Sequence, residues 1–202
     1  CKPQQFLGAA VLFSLKQEAP ASVGGGTFTQ PNDISMDSRY DAICGITEDE
    51  LYSVLGEVIS EMANKFDYTV DEMKSLLKKQ YDGYYFSEAL LDIYNPFSII
   101  NAFDKLKLDN YWYKSGTPTY LVKLLEGHHV NMQKLTSRLY ESRYFVDYRA
   151  DAENPLAMLY QSGYLTIKGY DRHYREYTLD YPNVEVRKGF VALMAEANKC
   201  CS

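Results

Sequence analysis

Apolar residues recur along this chain with two different periods. Leu51, Val54, Leu55, Val58, Ile59 and Met62 share one helical face, and Thr47-Glu48-Asp49-Glu50 ahead of them spells a capping box. Thr69 and Glu72 repeat that device, and Met73, Leu76 and Leu77 carry a second helix toward Tyr81. Asp82-Gly83 then reads as a turn, and Tyr84-Tyr85-Phe86 favours extended chain. Asn95-Pro96 opens a third helix, with Phe97, Ile100, Phe103 and Leu106 as its expected buried stripe. Thr117-Pro118 opens a fourth carrying Leu121, Leu124 and Leu125, and Asn154-Pro155 a fifth carrying Leu156, Leu159 and Tyr160 before Gly163 stops it. The period then falls to two. Leu165 and Ile167 alternate with Thr166 and Lys168, Tyr177, Leu179 and Tyr181 alternate again, and Gly169 to His173 supplies a polar turn, which together predict a β-hairpin. A last helix from about Asn183 buries Val186, Phe190, Leu193 and Met194.

This order predicts a mainly α protein in three stretches. Residues 1–36 hold one apolar run and then Gly24-Gly25-Gly26, a poorly ordered or divergent segment. Residues 37–130 form a helical region, and residues 131–202 a helix–β-hairpin–helix unit that resembles a winged helix. Such an architecture hosts DNA binding, protein binding and structural roles alike, so function has to come from particular residues.

Composition narrows the field. Of 202 residues 46% are hydrophobic and 24% charged, as in an ordinary globular protein, and the net charge of −6 argues against a dedicated DNA-coating surface. The four cysteines (Cys1, Cys44, Cys200 and Cys201) form no Cys-x-x-Cys pair, which disfavours zinc, and a bridge between the adjacent pair would be strained. Reduced thiols in a cytoplasmic protein are the expectation. The run from Phe6 to Leu15 resembles a signal-peptide core in outline, but the chain starts with Cys1, as a portion of something longer would. No run is long enough for a membrane span.

Most candidate chemistry reduces to structure. The triple glycine before Thr27 lacks the Gly-Lys-Ser/Thr ending of a phosphate loop. His128 and His129 are neighbours whose side chains diverge on a helix, which suits cations at a helix end better than metal ligands. Glu72-Met73-Lys74 and Glu185-Val186-Arg187 imitate part of a nuclease carboxylate motif, yet both lie on predicted helices and read as solvated faces, as do Glu57 and Glu61. The 19 tyrosines, among them Tyr111, Tyr113, Tyr144 and Tyr148, are expected mainly as half-buried core. Lys168, Arg172 and Arg175 at the hairpin tip are the nucleic-acid candidates, diluted by Asp171 and Glu176.

The segments GITEDELYSVLGEVISEMA, KKQYDGYYFS, YNPFSIINAF, YWYKSGTPTYLVKLL, YFVDYRAD, YQSGYLTIKGY and YPNVEVRKGF occur in the order of the bacterial AAA-ATPase-like domain family, which the chain resembles from about Ile34 to Leu193. Members often carry a nuclease-like domain of the PD-(D/E)xK type. The resemblance is to the C-terminal half, a helical lid followed by the winged-helix-like unit; the P-loop and the magnesium-binding aspartate precede that half. It implies ATP as cofactor, with magnesium in the parent protein, and the P-loop and nuclease-like domains as partners within that parent. The portion in hand is then expected to be inactive alone, without catalytic or metal residues of its own.

Gly116-Thr117-Pro118 is similar to the Gly-x-Pro lid motif of related signalling ATPases, whose proline packs near adenine; Gly116 and Pro118 take that role by resemblance, with Thr117 as the helix cap between them. The segment FLGAAVLFSLKQEAPASVGGGTFTQ departs from the family's core strand and sensor turn. The implied function is regulation of ATP binding or hydrolysis by a P-loop half. The alternatives are a winged-helix nucleic-acid binder or a protein-interaction module.

Overall fold

A computed structural model describes residues 34–114, 132–146 and 155–200, without the side chains of 113–114 and 196–200. The fold is mainly α with two small antiparallel sheets.

The first unit grows from the caps. Strand β1 (Ile46–Thr47) runs into helix α1 (Glu48–Lys65), where the Thr47 hydroxyl accepts from Glu50 N at 3.3 Å and the Glu50 carboxylate accepts from Thr47 N at 2.9 Å. Helix α2 (Val70–Tyr81) starts the same way, with 3.2 Å from Glu72 N to the Thr69 hydroxyl and 2.8 Å from Thr69 N to the Glu72 carboxylate. Strand β2 (Ile93–Tyr94) pairs with β1, and Asn95 then caps α3 (Pro96–Asp104) by accepting from Phe97 N and Ser98 N. Tyr84 forms an isolated bridge with Ile93, so the expected extended stretch amounts to one rung. A one-turn helix, α4 (Tyr111–Lys114), closes the unit. Leu51, Ile59, Met62, Met73, Leu77, Tyr81, Tyr94, Ile99, Ala102 and Phe103 form its core.

The expected α1 stripe holds except at Val54, and the expected α3 stripe is rotated. Val54 is 76% exposed; it directly precedes a kink in α1 at Leu55 (φ −115°, ψ 16°), while Leu51 before the kink and Ile59 and Met62 after it share one core. On α3 the buried face is Ser98, Ile99, Ala102 and Phe103, while Phe97 and Ile100 point outward. That helix is apolar nearly all round, so its period leaves the face open and the packing partners choose it.

The second unit holds α5 (Met132–Thr136), β3 (Leu139–Tyr140), α6 (Arg143–Val146) and α7 (Pro155–Gln161), then the hairpin β4 (Thr166–Asp171) and β5 (Glu176–Asp180), then α8 (Val184–Cys200). The sheet order is β3-β5-β4, all antiparallel, with Tyr140 and Tyr170 both opposite Tyr177 and a bulge between Ile167 and Gly169. The hairpin turn is Arg172 to Arg175, later than the expected Gly169–His173. Asp171 sets it: its carboxylate accepts from His173 N at 2.8 Å and Tyr174 N at 3.1 Å, and Arg175 closes it at φ 56°. Asn183 caps α8 by accepting from Val186 N at 3.0 Å, close to the predicted start. Phe145, Leu159, Tyr164, Ile167, Leu179, Val186, Phe190 and Leu193 make the core, with Phe145 edge-on to Tyr160 and Tyr177. No described helix is long and apolar enough to cross a membrane.

Candidate functional site

Gly116, Thr117 and Pro118 lie outside the described residues, as do Gly24–Gly26, His128 and His129. What is described is the structure leading up to them and the seam on which the two units meet. The seam is built from the sequence Tyr81-Asp82-Gly83-Tyr84-Tyr85 on one side and Pro182-Asn183 with Thr166 and Lys168 on the other.

Gly83 (φ 92°) turns the chain off the end of α2. Its carbonyl and that of Pro182 both accept from the Lys168 ammonium, at 2.7 and 3.0 Å, and the same ammonium lies 4.6 Å from the centre of the Tyr85 ring. Asn183 Nδ2 donates to the Asp82 carbonyl at 3.0 Å while its Oδ1 caps α8. One rung further, the Thr166 hydroxyl accepts from Tyr85 N at 2.8 Å and donates to Tyr85 O at 2.9 Å. The bonds that cross the seam, at Gly83 O, Asp82 O and the Tyr85 N and O, each join backbone of the first unit to a side chain of the second. Burial pulls the Lys168 pKa below its usual value, while Asp180, Asp82 and Asp92 push the other way.

Glu185 sits one turn along. Its expected solvated face is wrong: the residue is 0% exposed. Val184 and Val186 flank it, and the helix presents its first turn, not its outer side, to the first unit. Glu185 Oε1 accepts from Trp112 N at 2.8 Å, so it caps α4 from across the seam. Burial pushes its pKa up to about 7, against the Ser98 hydroxyl and the Trp112 and Tyr111 N–H groups, which lower it. Glu72, the other half-motif, does lie on the surface, in its capping box.

Beside the seam, Lys78 gathers three carboxylates: Asp92 at 3.0 Å, Glu48 at 3.4 Å and Asp82 at 3.8 Å. Tyr85 donates to Asp92 and Tyr52 to Glu48. Burial alone would lower the Lys78 pKa, but Asp92 and the other acids outweigh it and raise it. Asp82 is the strained member. It is 1% exposed and neither carboxylate oxygen has a hydrogen-bond partner, and burial pushes its pKa up to about 6. Among the described residues no group of three or more His, Cys, Asp or Glu side chains is arranged to hold a metal ion.

The wing candidates do not converge. Arg172 and Arg175 lie exposed at the hairpin turn with His173 and Tyr174, whereas Lys168 is committed to the seam carbonyls. Asp82, Glu185 and Lys78 were not singled out from the sequence as a site. The signal available was an acid set between aromatic or valine neighbours, Tyr81-Asp82 and Val184-Glu185-Val186, where a solvated charge would be out of place.

No protein-family model matches the chain, and no solved structure matches it. It is 32% identical over 158 residues to the protein described as "Uncharacterized protein in vnfD 5'region" of Azotobacter chroococcum mcd 1. The match covers 77% of this chain and 28% of that protein's length, so the chain spans a minor part of the curated relative it resembles.

Proposed function

We propose that this chain is the lid and winged-helix-like part of an AAA-ATPase-like protein, regulating ATP binding or hydrolysis by a P-loop half carried elsewhere in the parent chain. The observation that carries the reading is topological. Helix α5, strand β3, helices α6 and α7, and then a hairpin whose second strand lies between β3 and β4 follow the order of a winged helix. A compact helical unit precedes it in sequence, as a lid does, and the two share a polar seam. The 202 residues contain no Gly-x-x-x-x-Gly-Lys-Ser/Thr run, and the relative is much longer than the matched part, which suits a regulatory portion of a larger protein. The nucleotide contact falls to Gly116, Thr117 and Pro118, immediately after the short helix that Glu185 holds.

The test joins this chain to its P-loop half and measures binding of a fluorescent ATP analogue with magnesium. Pro118→Ala is expected to weaken binding several-fold; an unchanged affinity removes the assigned role.

A second reading, nucleic-acid binding, has one observation in its favour: the exposed Arg172, His173 and Arg175 at the hairpin turn. Against it, α7, the recognition helix on that reading, is Pro-Leu-Ala-Met-Leu-Tyr-Gln and brings no cation to a phosphate backbone. That reading expects salt-sensitive DNA binding lost in the Arg172→Ala, Arg175→Ala double variant, and no binding at low salt eliminates it.

A further inference from the structure

We propose that Glu185 is a proton-operated latch between the two units: protonated, it keeps the first turn of α8 closed on α3 and α4, and ionised, it loosens that contact. The inference does not rest on the nucleotide reading. It starts from an unfinished set of hydrogen bonds. Glu185 Oε1 has its partner, Trp112 N at 2.8 Å, but Oε2 has none, and neither does the buried hydroxyl of Ser98 on α3. A proton on Oε2 removes the charge from a carboxyl that is wholly buried, which is the form that burial favours.

The ionised form draws on the Ser98 hydroxyl and the Trp112 and Tyr111 N–H groups, which lower the pKa, and burial outweighs them. The groups that face Glu185 are Asp109 ahead of α4, Tyr111 on α4, Tyr81 on α2 and Tyr84 beyond it. None supplies positive charge. Asp109 adds a like charge, itself paired with Lys107 at 3.0 Å, and Glu185 makes no ion pair with a described residue. A buried carboxylate in that setting draws in water or moves toward it, and the element free to move is the first turn of α8 relative to α4. Its pKa near 7 places the change in the neutral range.

The molecule carries its own reporter. Trp112 is the sole tryptophan; its amide is the one Glu185 holds, and its ring packs edge-on against Tyr164 at 4.8 Å, which in turn packs on Phe190 of α8 at 5.6 Å. Tryptophan emission of the full chain, followed from about pH 5.5 to 8.5, is expected to show a sigmoidal change centred near 7. Glu185→Gln, a permanent stand-in for the protonated acid, is expected to abolish it. Ser98→Ala removes the hydroxyl that lowers the pKa and is expected to move the midpoint upward. A flat wild-type profile overturns the proposal. So does the same transition in Glu185→Gln, which would assign it to His128, His129 or His173, all retained there. If circular dichroism shows Glu185→Gln unfolded, the Ser98→Ala midpoint decides, and an unmoved midpoint overturns the latch.

Discussion

Gly83→Ala tests whether the seam is held by close backbone approach. At φ 92° the residue occupies a conformation that costs an L side chain about 1–2 kcal/mol before any contact is considered. An added Cβ would come within 2.9 Å of Lys168 Nζ and closer still to the Pro182 carbonyl oxygen. The backbone oxygen cannot step aside, so the seam has to open. Opening it loses at least one of the two charge-assisted bonds from Lys168, about 1.5–3 kcal/mol each. The sum is about 2.5–5 kcal/mol, a large share of the 5–15 kcal/mol, roughly, that holds a typical domain together.

Urea unfolding at neutral pH, followed by Trp112 emission and by circular dichroism, measures it. Gly56→Ala is the control. Its Cβ meets nothing within 4 Å, it lies inside α1, and alanine there is expected to stabilise by about 0.5–1 kcal/mol. A loss below about 1 kcal/mol in Gly83→Ala, or an equal loss in Gly56→Ala, refutes the close-approach argument.

Two further perturbations follow from the same seam. Lys168→Met keeps the stem and removes the ammonium from the Gly83 and Pro182 carbonyls, so a loss of about 3–6 kcal/mol is expected in thermal denaturation, and unchanged stability would show that the lysine holds nothing. Asp82 has its folded pKa raised to about 6 from an unfolded 3.8, so the folded state keeps its proton longer; its contribution makes stability fall as pH rises from 3.8 to 6, by about 3 kcal/mol, and level off above. Asp82→Asn is expected to remove that slope in urea titrations between those pH values, and an undiminished slope would assign it to other carboxyls.

The helix starts were legible because capping chemistry is local. Thr47 with Glu50, Thr69 with Glu72, and Asn95 before Pro96 each form the bonds that their spacing spells, and no distant residue can change that. Helix faces were less legible, since Phe97 and Ile100 are as apolar as Ile99 and Phe103, and only the position of α1 and α2 selects between them. Strands β1, β2 and β3 are two residues each, too short to show a period. Glu185 defeated the pattern for a different reason. A glutamate in the first turn of a helix ordinarily faces water and the helix dipole, and here that first turn is the surface that meets α4. Of the nucleotide candidates nothing beyond sequence bears on Gly116 and Pro118, whereas Lys168 shows how a cation that looks available in sequence can be spent on carbonyls.

The composition of the seam has a mechanical consequence. Each unit has its own apolar core, Leu51 to Tyr111 in one and Phe145 to Leu193 in the other. Tyr84, Tyr85 and Trp112 of the first pack against the core of the second, and the bonds at Gly83, Asp82 and Glu185 add ties that are polar and geometrically demanding. Polar bonds across a buried boundary contribute little net free energy when formed and a large penalty when half formed, so the seam favours fully closed or fully open arrangements over graded ones. Asp82 and Glu185 tilt that balance. Each is buried without a full set of partners, and each destabilises the closed arrangement once it is charged. The boundary between the helical unit and the helix–hairpin–helix unit is therefore where a change of charge acts, while the interior of each unit is close-packed.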